Sequence, residues 1–244
     1  MTNKIDILGV QFDNVTEDEA VELAIEKLNA SNKMFIVTAN PEIVMYANKN
    51  QAYKDKINSS DLTVADGIGV VIGSKIFDTP LKERVAGFDL MTRLLDESSK
   101  RKLRVFFLGA KKQTLKKAVA NIKHAYSGIE VAGMQDGYVD INDKRMLTEV
   151  VEAKPDVIFV AMGFPKQEEW ITDYLSVASH GLAMGVGGSF DVWADEVKRA
   201  PKWIQTINLE WFYRLIKDPK RIGRMMDLPR FIMAVKKEKR NRES

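Results

Sequence analysis

The 244-residue chain has no cysteine. That excludes disulfides, thiolate metal sites and cysteine nucleophiles together. Its two histidines, His124 and His180, stand far apart and outside any ligand spacing, so a structural zinc site is not expected. No apolar run reaches the roughly 20 residues that span a bilayer, and the opening Met1-Thr2-Asn3-Lys4-Ile5-Asp6 lacks the apolar core of a signal peptide. The expectation is a cytoplasmic protein that does not cross the membrane. GxGxxG is missing, which argues against a dinucleotide cofactor. Asp-x-Asp is missing too, so no carboxylate pair of the usual kind is present to hold a divalent metal on a diphosphate. No cofactor and no metal are expected.

What is present is enough apolar sequence, 45%, to fill a full core. Charge is unevenly spread. Residues 197–244 hold 14 Lys/Arg against 5 Asp/Glu, a net +9, whereas the remaining 196 residues carry −6. A basic tail on an acidic body points to an anionic lipid surface, nucleic acid or a phosphorylated ligand.

The central stretch is Leu62-Thr63-Val64-Ala65-Asp66-Gly67-Ile68-Gly69. A short apolar run ends at a carboxylate followed by glycines, the pattern of a strand delivering a side chain to the carboxyl edge of a parallel sheet. Asp66 is either a reactive group there or the cap of the next helix. Similar strand ends recur along the chain. Met34-Phe35-Ile36-Val37 runs into Thr38-Ala39-Asn40-Pro41-Glu42, with Pro41 suited to a first helical turn; Thr38 and Asn40 either face a ligand or satisfy local backbone groups. Leu103–Leu108 reaches Gly109-Ala110, and a helix starting near Lys111 directs its amides at that loop, which favours phosphate. Ile129–Gly133 leads to Asp136-Gly137-Tyr138, Val157–Ala161 to Gly163-Phe164-Pro165-Lys166-Gln167-Glu168, and Leu182-Ala183-Met184 to Gly185-Val186-Gly187 and Asp191.

Ahead of these, Ile5–Asp13 reads as a strand or hairpin arm, and Thr16-Glu17-Asp18-Glu19 opens a helix with a capping box. Alternating strands and helices make a Rossmann-like α/β fold, a doubly wound and mostly parallel sheet over residues 1–195. Residues 196–244 are expected to form a helical appendage. Trp203, Ile204, Ile207, Leu209, Trp211, Phe212, Leu215 and Ile216 recur at helical spacing among basic residues, and Pro219 and Pro229 break the stretch into short helices. Such a segment is either an interfacial membrane anchor or a helical pair packed on the body; its charge favours the membrane. Arg84, in a charged loop, is either a surface residue or an anion ligand.

Taken in order, Thr38–Glu42, Ala65–Gly69, Arg84-Val85-Ala86-Gly87, Gly163–Glu168, Gly185-Val186-Gly187, Arg199-Ala200-Pro201, Glu210-Trp211 and Arg214 resemble the WecG/TagA/CpsF glycosyltransferases, and within them the TagA branch. One departure is Asp195, where many members carry glycine; only a turn is expected to change. The resemblance implies an inverting transfer of N-acetylmannosamine from its UDP donor to the 4-hydroxyl of N-acetylglucosamine on undecaprenyl diphosphate, in wall teichoic acid synthesis. Sister branches use N-acetylmannosaminuronic acid or glucose. It also implies Asp66 as the base, with Thr38, Asn40, Gln167 and Arg84 beside it. Gly109, Ala110, Asp136, Gly137, Tyr138, Gly163, Lys166, Gly185, Gly187 and Asp191 would hold the UDP-sugar. Arg214, Arg221 and Arg224 would meet the diphosphate at the inner membrane face, the tail closing over the donor there. In solution the tail's apolar face would instead suit a homo-oligomer. Two rival classes are a nicotinamide-dependent oxidoreductase and a non-enzymatic adaptor for membrane or nucleic acid; the absent GxGxxG and the crowd of polar strand ends argue against them.

Overall fold

The structure, a computed structural model, describes residues 2–138, 144–206, 210, 212–213 and 227–243. Six parallel strands form the central sheet: β3 (Lys33–Ala39), β4 (Leu62–Ala65), β5 (Arg104–Gly109), β6 (Glu130–Gln135), β7 (Val157–Ala161) and β8 (Gly181–Gly185), in the order β4-β3-β8-β7-β5-β6. β3, β4, β7 and β8 are apolar on both faces because helices cover both.

Alternate residues therefore feed two separate cores. Phe35, Val37 and Ala39 of β3 pack on one face with α2 (Pro41–Lys49), α3 (Gln51–Asn58), α4 (Ile68–Ile76) and α8 (Lys166–Val177). Met34 and Ile36 pack on the other with α1 (Glu17–Asn29), α5 (Gly87–Arg101), α6 (Lys112–Ala125) and α9 (Ser189–Trp193). α7 (Lys144–Glu152) lies with the first set and α10 (Lys202–Thr206) follows α9.

The expected N-terminal hairpin is β1 (Lys4–Ile7) and β2 (Val10–Asp13), joined at Leu8 and Gly9, whose positive φ angles of 55° and 84° match the twist of a hairpin. It covers the outer side of β4, where the buried Asp13 carboxylate accepts from the Thr63 amide at 2.8 Å. An exposed sheet edge is thereby closed. The capping box at α1 is present in full, with Thr16 and Glu19 each bonding the other's backbone amide.

The tail differs from its sequence reading at one proline. Pro229 breaks nothing; it sits in the first turn of α11 (Asp227–Glu243), where its missing N–H has no carbonyl to serve. α11 lies against α2 and α4, and its Phe231 and Val235 are fully buried in the same core as those helices. Trp203 and Phe212 are exposed, at 66% and 46%. Among the described residues no helix is long and apolar enough to cross a membrane.

Candidate active site

β3 and β8 are neighbours, yet the helices that follow them leave to opposite faces, α2 to one and α9 to the other. Such a divergence opens a crevice at the carboxyl ends of the strands. A cleft of about 530 Å³ lies there, lined from four strand ends and the loop before α5. That is a volume suited to a ligand of nucleotide size.

Asp66 stands on the wall of this cleft, directly after β4, half-buried, with its amide donating to the Ala39 carbonyl at 2.9 Å. The N-cap position of α4 belongs to Gly67, whose φ of +108° takes the chain round a turn that other residues resist. Asp66 is thus not the N-cap residue. Asn40 is one: its side-chain oxygen accepts from the Ile43 amide at 3.0 Å, and the residue lines the cleft. Thr38 donates to the Gly185 carbonyl at 3.3 Å, tying β3 to β8. Arg84 is no surface residue. The Val85 amide donates to the Ala65 carbonyl at 3.0 Å, which brings the loop against β4, and the Arg84 side chain is 18% exposed with its guanidinium 3.8 Å from Glu210.

The β7 and β8 ends form the facing wall. Gly163, with φ +74°, and Phe164 line it. Gln167 is buried and committed at both ends of its amide: Oε1 accepts from the Gly187 amide at 3.1 Å, and Nε2 donates to Glu168 Oε1 at 2.7 Å. Gly185 lies behind the wall and makes room for that amide, since a Cβ there would come within 2.6 Å of Gln167 Nε2. Gly187 and Asp191 face the cleft. Asp195, which follows α9, has a φ of +57°, the left-handed conformation that glycine adopts most easily, and its carboxylate accepts from Asn121 at 3.0 Å.

Other expected contacts fall elsewhere. Gly109, Ala110, Asp136, Gly137 and Tyr138 come together at the ends of β5 and β6, where the Gly137 amide donates to the Ala110 carbonyl at 2.8 Å. They extend the same carboxyl edge but do not line the cleft. Gly109 is required by packing, for a Cβ would stand 2.4 Å from the Ala161 carbonyl oxygen. Lys166 is exposed at the start of α8 and outside the cleft lining. Arg214, Arg221 and Arg224, with Ile207, Leu209, Trp211, Leu215, Ile216 and Pro219, lie outside the described residues.

Three groups carry weight that spacing in the sequence did not assign. Arg199 grips the Asp89 carboxylate with both terminal nitrogens, reaches Glu210 at 3.5 Å and stacks over the Phe88 ring at 4.7 Å. Glu210 is buried between Arg84 and Arg199. Glu168 is 1% exposed, and burial pushes its carboxyl up to about 7, against the pull of the Gln167 hydrogen bond. Among the described residues no group of three His, Asp or Glu could hold a metal ion.

A family model described as the glycosyl transferase WecG/TagA/CpsF family matches residues 5–244. The chain belongs to that family. Within this glycosyltransferase family it is 43% identical to a Staphylococcus aureus protein, over 98% of this chain and 94% of the relative. It is 44% identical to one from Bacillus spizizenii, over 87% and 82%, and 42% identical to one from Bacillus subtilis, over 86% and 81%. All three relatives are named N-acetylglucosaminyldiphosphoundecaprenol N-acetyl-beta-D-mannosaminyltransferase. The cleft lining brings together one carboxylate directly after β4, Asp66, and the guanidinium groups of Arg84 and Arg199, the latter held by Asp89 and Glu210.

Proposed function

We propose that this glycosyltransferase moves N-acetylmannosamine from UDP-N-acetylmannosamine to the 4-hydroxyl of N-acetylglucosamine on undecaprenyl diphosphate, with inversion, in wall teichoic acid linkage-unit synthesis. The supporting observation is the gathering of Asp66, Thr38, Asn40, Arg84 and Gln167 at one cleft, in a chain 42–44% identical to relatives bearing that activity's name.

Asp66 takes the proton of the acceptor hydroxyl as its oxygen attacks the anomeric carbon. The bond from that carbon to the diphosphate breaks on the opposite face, and UDP leaves with the electron pair. Arg84 steadies the charge that builds on the diphosphate. Thr38 and Asn40 orient the sugars, and Gln167 shapes the wall against which they lie. The loops at Gly109-Ala110 and Asp136-Gly137-Tyr138 receive the uridine end, next along the carboxyl edge. The basic tail, with Trp203 and Phe212 exposed, rests on the inner face of the membrane as a peripheral contact. Arg214, Arg221 and Arg224 meet the lipid diphosphate there; without a membrane the same apolar surface suits a homo-oligomer.

The test is UDP release from UDP-N-acetylmannosamine with a short-chain analogue of the diphosphate-linked N-acetylglucosamine lipid, comparing wild type with Asp66→Asn. Turnover by wild type that the variant loses supports the reading. Turnover only with another UDP-sugar reassigns the donor, and none with any UDP-sugar removes the proposal.

A further inference from the structure

Glu168 is a costly residue. It is 1% exposed on α8, has no cation beside it among the described residues, and is not part of the cleft lining. An ionised carboxylate in that position would forfeit several kcal/mol of hydration. The groups around it are the Gln167 amide and Glu169 on its own helix and the Tyr53 hydroxyl of α3, behind which stands Tyr46 of α2. Glu168 Oε2 and the Tyr53 hydroxyl are both buried, and among the described residues neither has a hydrogen-bond partner. The pocket thus suits a neutral carboxylic acid with its proton on the unpartnered Oε2, its Oε1 being left as the acceptor for Gln167. The rise of its carboxyl to about 7 agrees with that.

The acceptor has a specific use. The Gln167 side chain is an amide with one donor end and one acceptor end, and its orientation decides which end meets the cleft wall. Glu168 Oε1 takes the donor end at 2.7 Å, which leaves Gln167 Oε1 to receive the Gly187 amide at 3.1 Å. Were the amide reversed, Nε2 would oppose the Gly187 N–H and the contact would repel. Gly187 itself has a φ of +49° with open space where a Cβ would stand, and this hydrogen bond holds its amide from the side chain of another element.

We propose that Glu168 is a positioning residue of this enzyme: through Gln167 it fixes the Gly187 amide, and with it the β8 loop that forms one wall of the cleft. The proposal rests on the reading of that cleft as the transfer site. It assigns Glu168 no contact with substrate.

The test compares full-length wild type with Glu168→Gln and Glu168→Met. Hydrogen exchange is followed at the Gly187 amide, and donor KM and kcat are measured by UDP release. Glu168→Gln keeps a neutral acceptor toward Gln167, so it should leave the Gly187 exchange rate and both kinetic constants within about threefold of wild type. Glu168→Met keeps the bulk and removes the acceptor. It should speed exchange at Gly187 about tenfold or more and lower kcat/KM by about tenfold to a hundredfold, chiefly through donor KM. If the Met variant does not fold, Glu168→Asp, which withdraws the acceptor by one methylene, is read in its place with the same expectation. Wild-type exchange at Gly187 in the folded Met or Asp variant overturns the proposal. So does a Gln variant as impaired as the Met one, since that would mean a charge and not an acceptor is needed. Should wild type turn over no UDP-sugar, the transfer reading fails, while exchange at Gly187 still decides whether Glu168 holds the loop.

Discussion

Gly69 of α4 lies directly beneath Leu228 of α11: a Cβ at Gly69 would stand 2.5 Å from Leu228 Cδ1 and 2.6 Å from Pro41 Cγ. One turn on, a Cβ at Gly73 would stand 2.8 Å from the Phe231 ring. The two glycines form a groove on the helix that starts just after Asp66, and the C-terminal helix fills it.

Gly69→Val should push α11 off that groove. Overpacking at a rigid proline costs about 1–3 kcal/mol. Urea unfolding should show that loss, limited proteolysis should cut first within residues 227–243, and transfer should fall because Leu228 also lines the cleft.

Asp66→Asn removes the proposed proton acceptor while keeping shape and hydrogen-bonding bulk. Transfer should fall by about 10²- to 10⁴-fold. Circular dichroism and the thermal midpoint should stay at their wild-type values.

Stability should depend on pH through Glu168. Its folded carboxyl titrates at about 7 against 4.5 for an unperturbed one, so between those values the folded state holds a proton the unfolded state has released. Stability then declines as pH rises from 5 to 8, by roughly 3 kcal/mol in all from this group. Glu168→Gln has no such proton to lose. Denaturant titrations at both pH values should show the variant gaining on wild type at pH 8.

Arg199→Ala leaves Asp89 and the buried Glu210 with one fewer cation and uncovers the Phe88 ring. A loss of about 2 kcal/mol is expected, since a partly buried carboxylate is stranded. Arg199→Lys should recover only part of it, because an ammonium cannot grip Asp89 with two nitrogens while stacking on Phe88.

Transfer should persist in excess chelator, since the proposed site meets the diphosphate with Arg84 rather than with a metal. Activity abolished by chelator and restored by magnesium would show that a metal performs that role.

The strands were legible in the sequence because each runs apolar to a glycine, an aspartate or an asparagine, a pattern that few other conformations satisfy. Legible with them were the capping box at Thr16, Pro41 at a first turn and the strand-end placement of Asp66, Thr38 and Asn40. These depend on neighbours within a few residues. Pro229 was misread for the same reason: a proline looks alike whether it breaks a helix or begins one, and only the backbone before it distinguishes the two.

Tertiary structure decided the rest. Arg84 and Arg199 stand 115 positions apart and meet at Glu210 because the loop before α5 is fastened to β4. Glu168 reads locally as one more acid in a helix's first turn, where a solvated charge is commonest, yet it faces α3 in a buried pocket. Gly185 reads as a glycine awaiting a ligand, yet it admits Gln167; Gly69, in the run of glycines after Asp66, admits Leu228. Sequence by itself determined which residues end at the carboxyl edge, since hydrophobic period and turn chemistry are local. Which of them share a cleft, and which glycines serve packing, depended on the strand order β4-β3-β8-β7-β5-β6, a long-range outcome of burying both faces of one sheet.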